Sequence, residues 1–186
     1  IIVDTTLTLR ASFNGIAKKS NIATSYLTTS NRSNGTILNN SYRDINNSAD
    51  EGNYNFSLLA LKKLHKKGRT LSLNIVNNFN NQATDGILNS SNKFFDLNQQ
   101  INSELNVNQQ KTNYFSTNVY SSNFSYTEPL SKVSSLIVSY NLSLNTGNAT
   151  RLSYNDNGNS KYDVFDPIFS SKYVLEQWIN TAGAYF

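Results

Sequence analysis

The sequence predicts an all-β protein that forms an antiparallel up-and-down transmembrane β-barrel, with a β-sandwich as the alternative. Arg69–Asn77 and Ser135–Asn145 alternate apolar with polar residues, which places the two sets on opposite faces of a sheet. The polar set is mostly Ser, Thr and Asn, which suits a water-filled lumen more than a charged soluble surface. The apolar positions that we expect to face lipid include Leu7, Leu9, Leu71, Leu73, Ile75, Leu136, Val138 and Leu142.

Composition agrees with a lipid-facing surface. Charged residues make up 15% of the 186 residues, against about 25% in an average soluble domain, and charge facing lipid is costly. The mean hydropathy of −0.47 argues against a helical membrane protein, because no segment approaches the ~18 apolar residues of a spanning helix. The chain has no cysteine, so it has neither disulfides nor thiolate metal ligands.

The alternation predicts about six meandering strands. Gly68, which can adopt positive φ, is placed to close the clearest hairpin, and Pro129 ends a strand because proline lacks the N–H that a ladder needs. Ile37–Ile45 is read as the far end of the second strand. The predicted strands are Asp4–Phe13, Asn53–Leu64, Arg69–Asn80, Lys111–Thr127, Val133–Leu144 and Gln177–Phe186.

Three stretches rich in Asn and Ser predict long loops, because these side chains compete for backbone hydrogen bonds. They are Asn14–Asn40, Asn81–Gln109 and Gly147–Glu176, whereas Leu64–Arg69 and Glu128–Val133 predict short turns. Short turns at one end and long loops at the other are typical of outer-membrane barrels. Strands of about 9–11 residues then suffice to cross a bilayer.

Several segments resemble one family, and LHKKGRTLSLNI at Leu64–Ile75 and FSYTEPLSK at Phe124–Lys132 are the most specific. The resemblance is to the outer-membrane β-barrel proteins of Bacteroidetes that are related to TonB-dependent receptors. It implies a Gram-negative outer membrane, periplasmic short turns and extracellular long loops. It also implies a part in nutrient uptake or surface ligand binding. The other matching segments are Asp4–Gly15, Asp85–Leu88, the strand around Ile137, and Phe169–Tyr173.

Residues 1–186 are interpreted as one incomplete domain, since no plug and no signal peptide are recognisable and six strands are fewer than the eight of the smallest closed barrels. The expected partners are outer-membrane lipid, the remainder of a larger barrel and a plug domain. TonB and a surface lipoprotein are further candidates that the resemblance suggests. Nucleic acid is not expected, because the basic run Lys62–Arg69 lies in a turn without interleaved aromatics.

No catalytic, cofactor or metal site is predicted. His65 is the single histidine and lies among lysines, and Asn155–Asn159 lacks the Gly and Glu positions of a calcium loop. A ligand-binding loop is expected at the aromatic and acidic residues Tyr162, Asp163, Phe165 and Asp166. The alternative function is a secreted or surface-tethered β-sandwich acting as an adhesin or a carbohydrate-binding module.

Overall fold

The computed structural model describes residues 5–159 and 161–186. They form one open antiparallel sheet, and no described residue is helical. Accordingly, the described residues include no helix of the length and apolarity that a membrane span requires. The strands are β1 (Leu7–Asn31), β2 (Ile37–Lys63), β3 (Thr70–Phe95), β4 (Ile101–Pro129), β5 (Ser135–Asp156), β6 (Tyr162–Phe165) and β7 (Ser171–Tyr185).

Successive strands are neighbours from β1 to β5, and β6 and β7 lie end to end along the free side of β5. The seven strands therefore occupy six lanes; about six strands were predicted, and β6 is the one that the prediction missed. An all-β, antiparallel up-and-down arrangement is confirmed. The sheet does not close on itself: within the described ranges, β1 forms one outer edge, and β6 and β7 together form the other.

The three predicted long loops are wrong. Asn14–Asn40 is mostly the end of β1 and the start of β2, and Asn81–Gln109 is mostly β3 and β4. Gly147–Glu176 contains the end of β5, all of β6 and the start of β7, although its Ser160 lies outside the described residues. Local turn propensity was overridden because each polar stretch pairs with neighbouring strands along most of its length.

The predicted strand lengths and the predicted placement of long loops at one end are both wrong. β1 to β5 have 22 to 29 residues, far more than the 9–11 expected, and span about 70–100 Å at about 3.4 Å per residue. Tight turns occur at both ends of the sheet, which contradicts the expected alternation of short and long connections. The turns are residues 32–36 and 96–100 at one end, where residues 157–159 also follow β5, and 64–69 and 130–134 at the other.

The predicted turn residues are placed as expected. Gly68 adopts a φ of +86°, a backbone conformation that costs an L-residue about 1–2 kcal/mol, and Pro129 is the last residue of β4. The predicted first strand begins at Leu7 in the structure. Its proposed start, Asp4, lies outside the described residues.

At the opposite end, Arg32 joins two turns. Its Nη1 donates to the carbonyl oxygen of Ile37 at 2.6 Å and to that of Asp96 at 3.2 Å, and its Nη2 donates to the carbonyl of Phe95. The β1–β2 and β3–β4 hairpins are thereby held together where the ladder ends. Gln99 strengthens the link by donating to the same Ile37 carbonyl at 3.1 Å.

Pairing register gives the sheet two distinct faces, which we name the Leu73 face and the Asn74 face. All eight residues predicted to face lipid share the Leu73 face, as the register connects Leu9 with Ala60, Leu73, Phe124 and Tyr140 across the lanes. The described residues form a single layer, in which contacts run between ladder neighbours. Its buried apolar residues are Ala49 and Leu88, at 8% exposure each.

Candidate functional site

An apolar band covers the Leu73 face in the half of the sheet nearest the 64–69 turn. Its side chains are exposed to an unusual degree for large apolar groups, with Leu73 at 38%, Phe124 at 43% and Val138 at 45%. A contiguous surface of this kind normally contacts lipid or another protein. The band comprises Leu7, Leu9, Ala11, Leu58, Ala60, Leu71, Leu73, Ile75, Phe124, Leu136, Val138, Tyr140, Leu142 and Leu144.

Aromatic rings border this band on the side away from the 64–69 turn. Phe13 stacks on Tyr54 with ring centroids 6.4 Å apart, and Tyr54 stacks on Phe79 at 6.3 Å. Tyr120 and Trp178 continue the border on β4 and β7. Beyond the border the same face becomes polar, and its side chains include Asp50, Ser48, Asn81 and Asp85.

Behind the apolar band, most side chains of the Asn74 face are small, neutral and polar. The same face also carries Arg10, Leu59, Leu61, Val76 and Ile137. The small polar side chains bond to one another across the strands: Ser12 with Ser57 at 2.7 Å, Ser121 with Ser143 at 3.2 Å, and Asn55 to Asn78. These side chains are part-buried or exposed. Cross-strand polar pairs of this kind stabilise a sheet face that remains wet.

The four residues predicted to bind ligand lie on both faces of the sheet. Tyr162 donates to Asn108 Oδ1 at 2.8 Å, and the Phe165 ring packs on Tyr154 at 5.7 Å; both partners lie on the Leu73 face. Asp163 accepts a hydrogen bond from Asn157 within the adjoining turn at 2.9 Å. Asp166, by contrast, lies over the Asn74 face, so these residues do not form one cluster.

Asp166 begins a bulge at residues 166–170 that folds onto the Asn74 face between β6 and β7. Its Oδ2 accepts from Gln109 at 2.9 Å and from Asn155 at 3.2 Å, while its Oδ1 accepts from the backbone N–H of Ile168 at 3.0 Å. Burial opposes ionisation, but hydrogen bonds from Asn155 and from backbone amides lower the pKa of Asp166 overall. The carboxylate therefore organises the bulge.

The bulge is further attached to β5 through Ser153. Ser153 Oγ donates to the carbonyl of Phe169 at 3.1 Å, and the Ser153 N–H donates to Ser170 Oγ at 3.0 Å. As a result Ser153 and Gln109 are each only 2% exposed. The Phe169 ring is held above the sheet, where Lys111 Nζ lies 5.2 Å from its centroid, within cation–π range.

A pocket of about 700 Å³ opens beside this ring on the Asn74 face, within the range of about 300–1,000 Å³ that is usual for ligand sites. Lys111 and Arg151 bring two cations to it. Burial lowers the pKa of Lys111, nearby Arg43 lowers it further, and Asp166 partly offsets both. The pocket is lined by Gln82, Thr84, Lys111, Asn113, Tyr114, Phe115, Ala149, Arg151, Ser153 and Phe169.

Sequence reasoning missed Lys111, Arg151, Phe115 and Gln82 as site residues. Lys111 and Phe115 lie in a predicted strand, but Arg151 was assigned to a loop, so no register could connect it with them. In the structure Asn113 pairs with Arg151 and Lys111 pairs with Ser153. The available signal was the odd parity that Lys111, Asn113 and Phe115 share on β4, since it places them on one face.

The remaining candidates fall within turns. His65 is exposed in the 64–69 turn. At the end of β5, the side chains of Asp156 and Asn157 accept hydrogen bonds from the backbone N–H groups of Gly158 and Asn159, at 3.1 and 2.9 Å. Among the described residues, no group of three or more His, Cys, Asp and Glu is arranged to hold a metal ion.

No family model matches the chain, and no curated protein matches it either.

Proposed function

We propose that the chain is part of an outer-membrane β-barrel receptor or transporter, with the Leu73 face toward lipid and the Asn74 face toward a wet lumen. One observation carries the proposal: an exposed apolar band bordered by aromatic rings on one face, opposite mostly small neutral polar residues on the other. Transmembrane barrels have this alternation and an aromatic girdle at the membrane surface.

The dimensions of the band support this assignment. From Leu71 to Phe79, the band together with its aromatic border extends over eight residue steps of β3, or about 27 Å along the strand. With a strand tilt of about 40°, this corresponds to about 20 Å of height, close to the apolar band of about 25 Å in outer-membrane barrels. The polar remainder of the long strands then extends the sheet beyond the membrane surface.

The open sheet is consistent with the same role. A sheet edge exposed to lipid would leave backbone groups without hydrogen-bond partners, which a bilayer does not tolerate. We therefore infer that β1 and β7 pair with further strands of a larger barrel. Nutrient uptake or surface ligand binding, with a plug, TonB and a surface lipoprotein as partners, remains the proposal that follows from the family resemblance.

The test is membrane assembly of the protein expressed from its complete reading frame in a Gram-negative host. We expect recovery in the outer-membrane fraction and heat-modifiable migration on a gel. Leu73→Asp should abolish both properties, whereas Asn74→Asp, one residue away on the opposite face, should preserve them.

The opposing outcome is specific. A protein that is recovered in soluble form, with Leu73→Asp causing only a loss of thermal stability, would show that the apolar band packs against another protein layer. That result would favour the alternative, a secreted or surface-tethered β-sandwich that acts as an adhesin or a carbohydrate-binding module.

A further inference from the structure

The pocket on the Asn74 face contains two cations, Lys111 and Arg151, for which the described residues provide no ion pair. Their ion pairs are Lys19 with Asp50 and Glu128 with Lys66 and Arg69. Neither Lys111 nor Arg151 has a carboxylate oxygen within 4.0 Å in the described part of the chain. Arg43 adds a third cation close enough to lower the pKa of Lys111.

Asp166 is the carboxylate whose charge acts on Lys111, but both of its oxygens already accept hydrogen bonds. Gln109 and Asn155 donate to one oxygen, and the backbone N–H groups of Ile168 and Phe169 donate to the other at 3.0 and 3.3 Å. The carboxylate therefore maintains the bulge. Its charge acts on Lys111, but it forms no ion pair with either cation, so both can still contact an external anion.

Apolar and amide groups complete the pocket wall. Phe115 and Phe169 are 46% and 59% exposed, which is high for phenyl rings, and both line the pocket together with Gln82 and Asn113. Small side chains between them, such as Ala149, leave room for a ligand body. A ring packed against a phenyl group gains contact area and favourable edge or face geometry.

We propose that this pocket binds an organic anion, whose carboxylate, sulfate or phosphate group lies between Lys111 and Arg151 and whose ring packs against Phe115 and Phe169. Arg151 offers the planar, two-pronged donor that suits such oxyanions, and Lys111 contributes a compact charge. The site uses side chains of the polar face only, so it does not depend on what covers the apolar band.

The test is titration calorimetry of the purified full chain with three probes: phenyl phosphate, inorganic phosphate and phenol. Phenyl phosphate should bind most tightly, because it engages both the cations and the rings. Inorganic phosphate should bind more weakly and phenol should not bind measurably. Raising the salt concentration should weaken phenyl phosphate binding, since the cations remain partly exposed to solvent.

Variants assign the binding to these residues. Lys111→Gln and Arg151→Gln should each raise the dissociation constant for phenyl phosphate about tenfold or more, the effect of losing a charge-assisted hydrogen bond. Lys172→Gln is the matched control: it removes the same charge from β7, where Lys172 is exposed on the Leu73 face, and should leave binding unchanged. Phe169→Leu should weaken phenyl phosphate more than inorganic phosphate.

Two results would overturn the proposal: no binding of phenyl phosphate at millimolar concentration by a folded protein, or binding that Lys111→Gln and Arg151→Gln leave unaltered. Membrane assembly is measured separately, so the two proposals can fail independently. A soluble protein that binds phenyl phosphate would contradict the barrel assignment alone, and an assembled protein that does not bind it would contradict the anion site alone.

Discussion

Glu128 and Arg69 join the two hairpin turns, residues 64–69 and 130–134, that lie at the same end of the sheet. The Glu128 carboxylate accepts from Arg69 Nε at 2.7 Å and from Nη2 at 2.9 Å, and it also accepts from Lys66 Nζ at 2.6 Å. One carboxylate of β4 thus links the turn between β2 and β3 to the start of the turn between β4 and β5. The bidentate geometry is the strong form of an Arg–carboxylate pair.

The same contacts predict acid sensitivity of these turns. Hydrogen bonds from Arg69, then Lys66 and Tyr126, lower the pKa of Glu128 from 4.5 to about 2. Because the folded-state pKa is the lower one, the stabilisation is complete above about pH 4.5 and is lost as pH falls through about 2. Amide hydrogen exchange should therefore show the 64–69 and 130–134 turns protected at pH 7 and opening progressively below pH 4.5.

Glu128→Gln should expose both turns to exchange already at pH 7 and should remove their pH dependence in this range. Glu104→Gln is the control, because Glu104 is exposed near the opposite end of β4. A variant Glu128→Gln that keeps the wild-type pH profile would show that another group controls these turns.

Arg32 should stabilise the opposite end of the sheet. Arg32→Ala removes three donor contacts to backbone carbonyls, and we expect a loss of about 1–3 kcal/mol in the free energy of unfolding. Arg32→Lys keeps the charge but not the planar fork, so it should recover only part of the loss. Denaturant titration of the three proteins measures this order, and equal stability of all three would refute the role of the fork.

The apolar band should tolerate charge less than the face behind it. Leu142 lies in the middle row of the band, in register with Ser122 and, through it, Ile75. If this row faces lipid, Leu142→Arg should make folding into vesicles less favourable by about 2–4 kcal/mol. Asn141→Arg, one residue away on the Asn74 face, should cost much less, and equal costs for the two variants would argue against a lipid-facing row.

Gly86, which pairs with the pocket residue Lys111, should not tolerate a larger side chain. A Cβ built there lies 1.9 Å from Asn47 Oδ1 and 2.7 Å from the Asn46 carbonyl oxygen, and the backbone oxygen cannot move without disturbing the ladder. Gly86→Ala should therefore cost about 1–3 kcal/mol, as overpacking usually does. At Gly147 the nearest atom lies at 3.5 Å, so thermal unfolding should show Gly147→Ala close to wild type.

Sequence reasoning identified the strands wherever one face was clearly apolar. Leu71, Leu73 and Ile75 predicted β3, and the Gly68 and Pro129 turns followed from backbone chemistry. It failed where both faces are polar: Asn21, Ser48 and Asp85 show no period, yet they share one row of the sheet. In such a row the pairing partner determines the conformation, and single-strand propensity does not reveal the partner.

The predicted ligand residues illustrate the same limit. Asp166 and Phe165 are adjacent in sequence, but the bulge after β6 sends Asp166 to the Asn74 face while Phe165 packs on Tyr154 of the other face. The pocket instead depends on Lys111 and Arg151, which are forty positions apart in the chain. Only the register between β4 and β5 brings them to one site.

By itself, the sequence determined that the chain is a meander of antiparallel strands with one apolar and one small polar face, because side-chain alternation and turn residues act locally. The tertiary structure decided how far the strands extend, which turns are held together by Glu128 and Arg32, and where two cations without an ion pair lie beside two phenyl rings. These features arise from pairing between distant segments, and a ladder imposes its register on residues that have no conformational preference of their own.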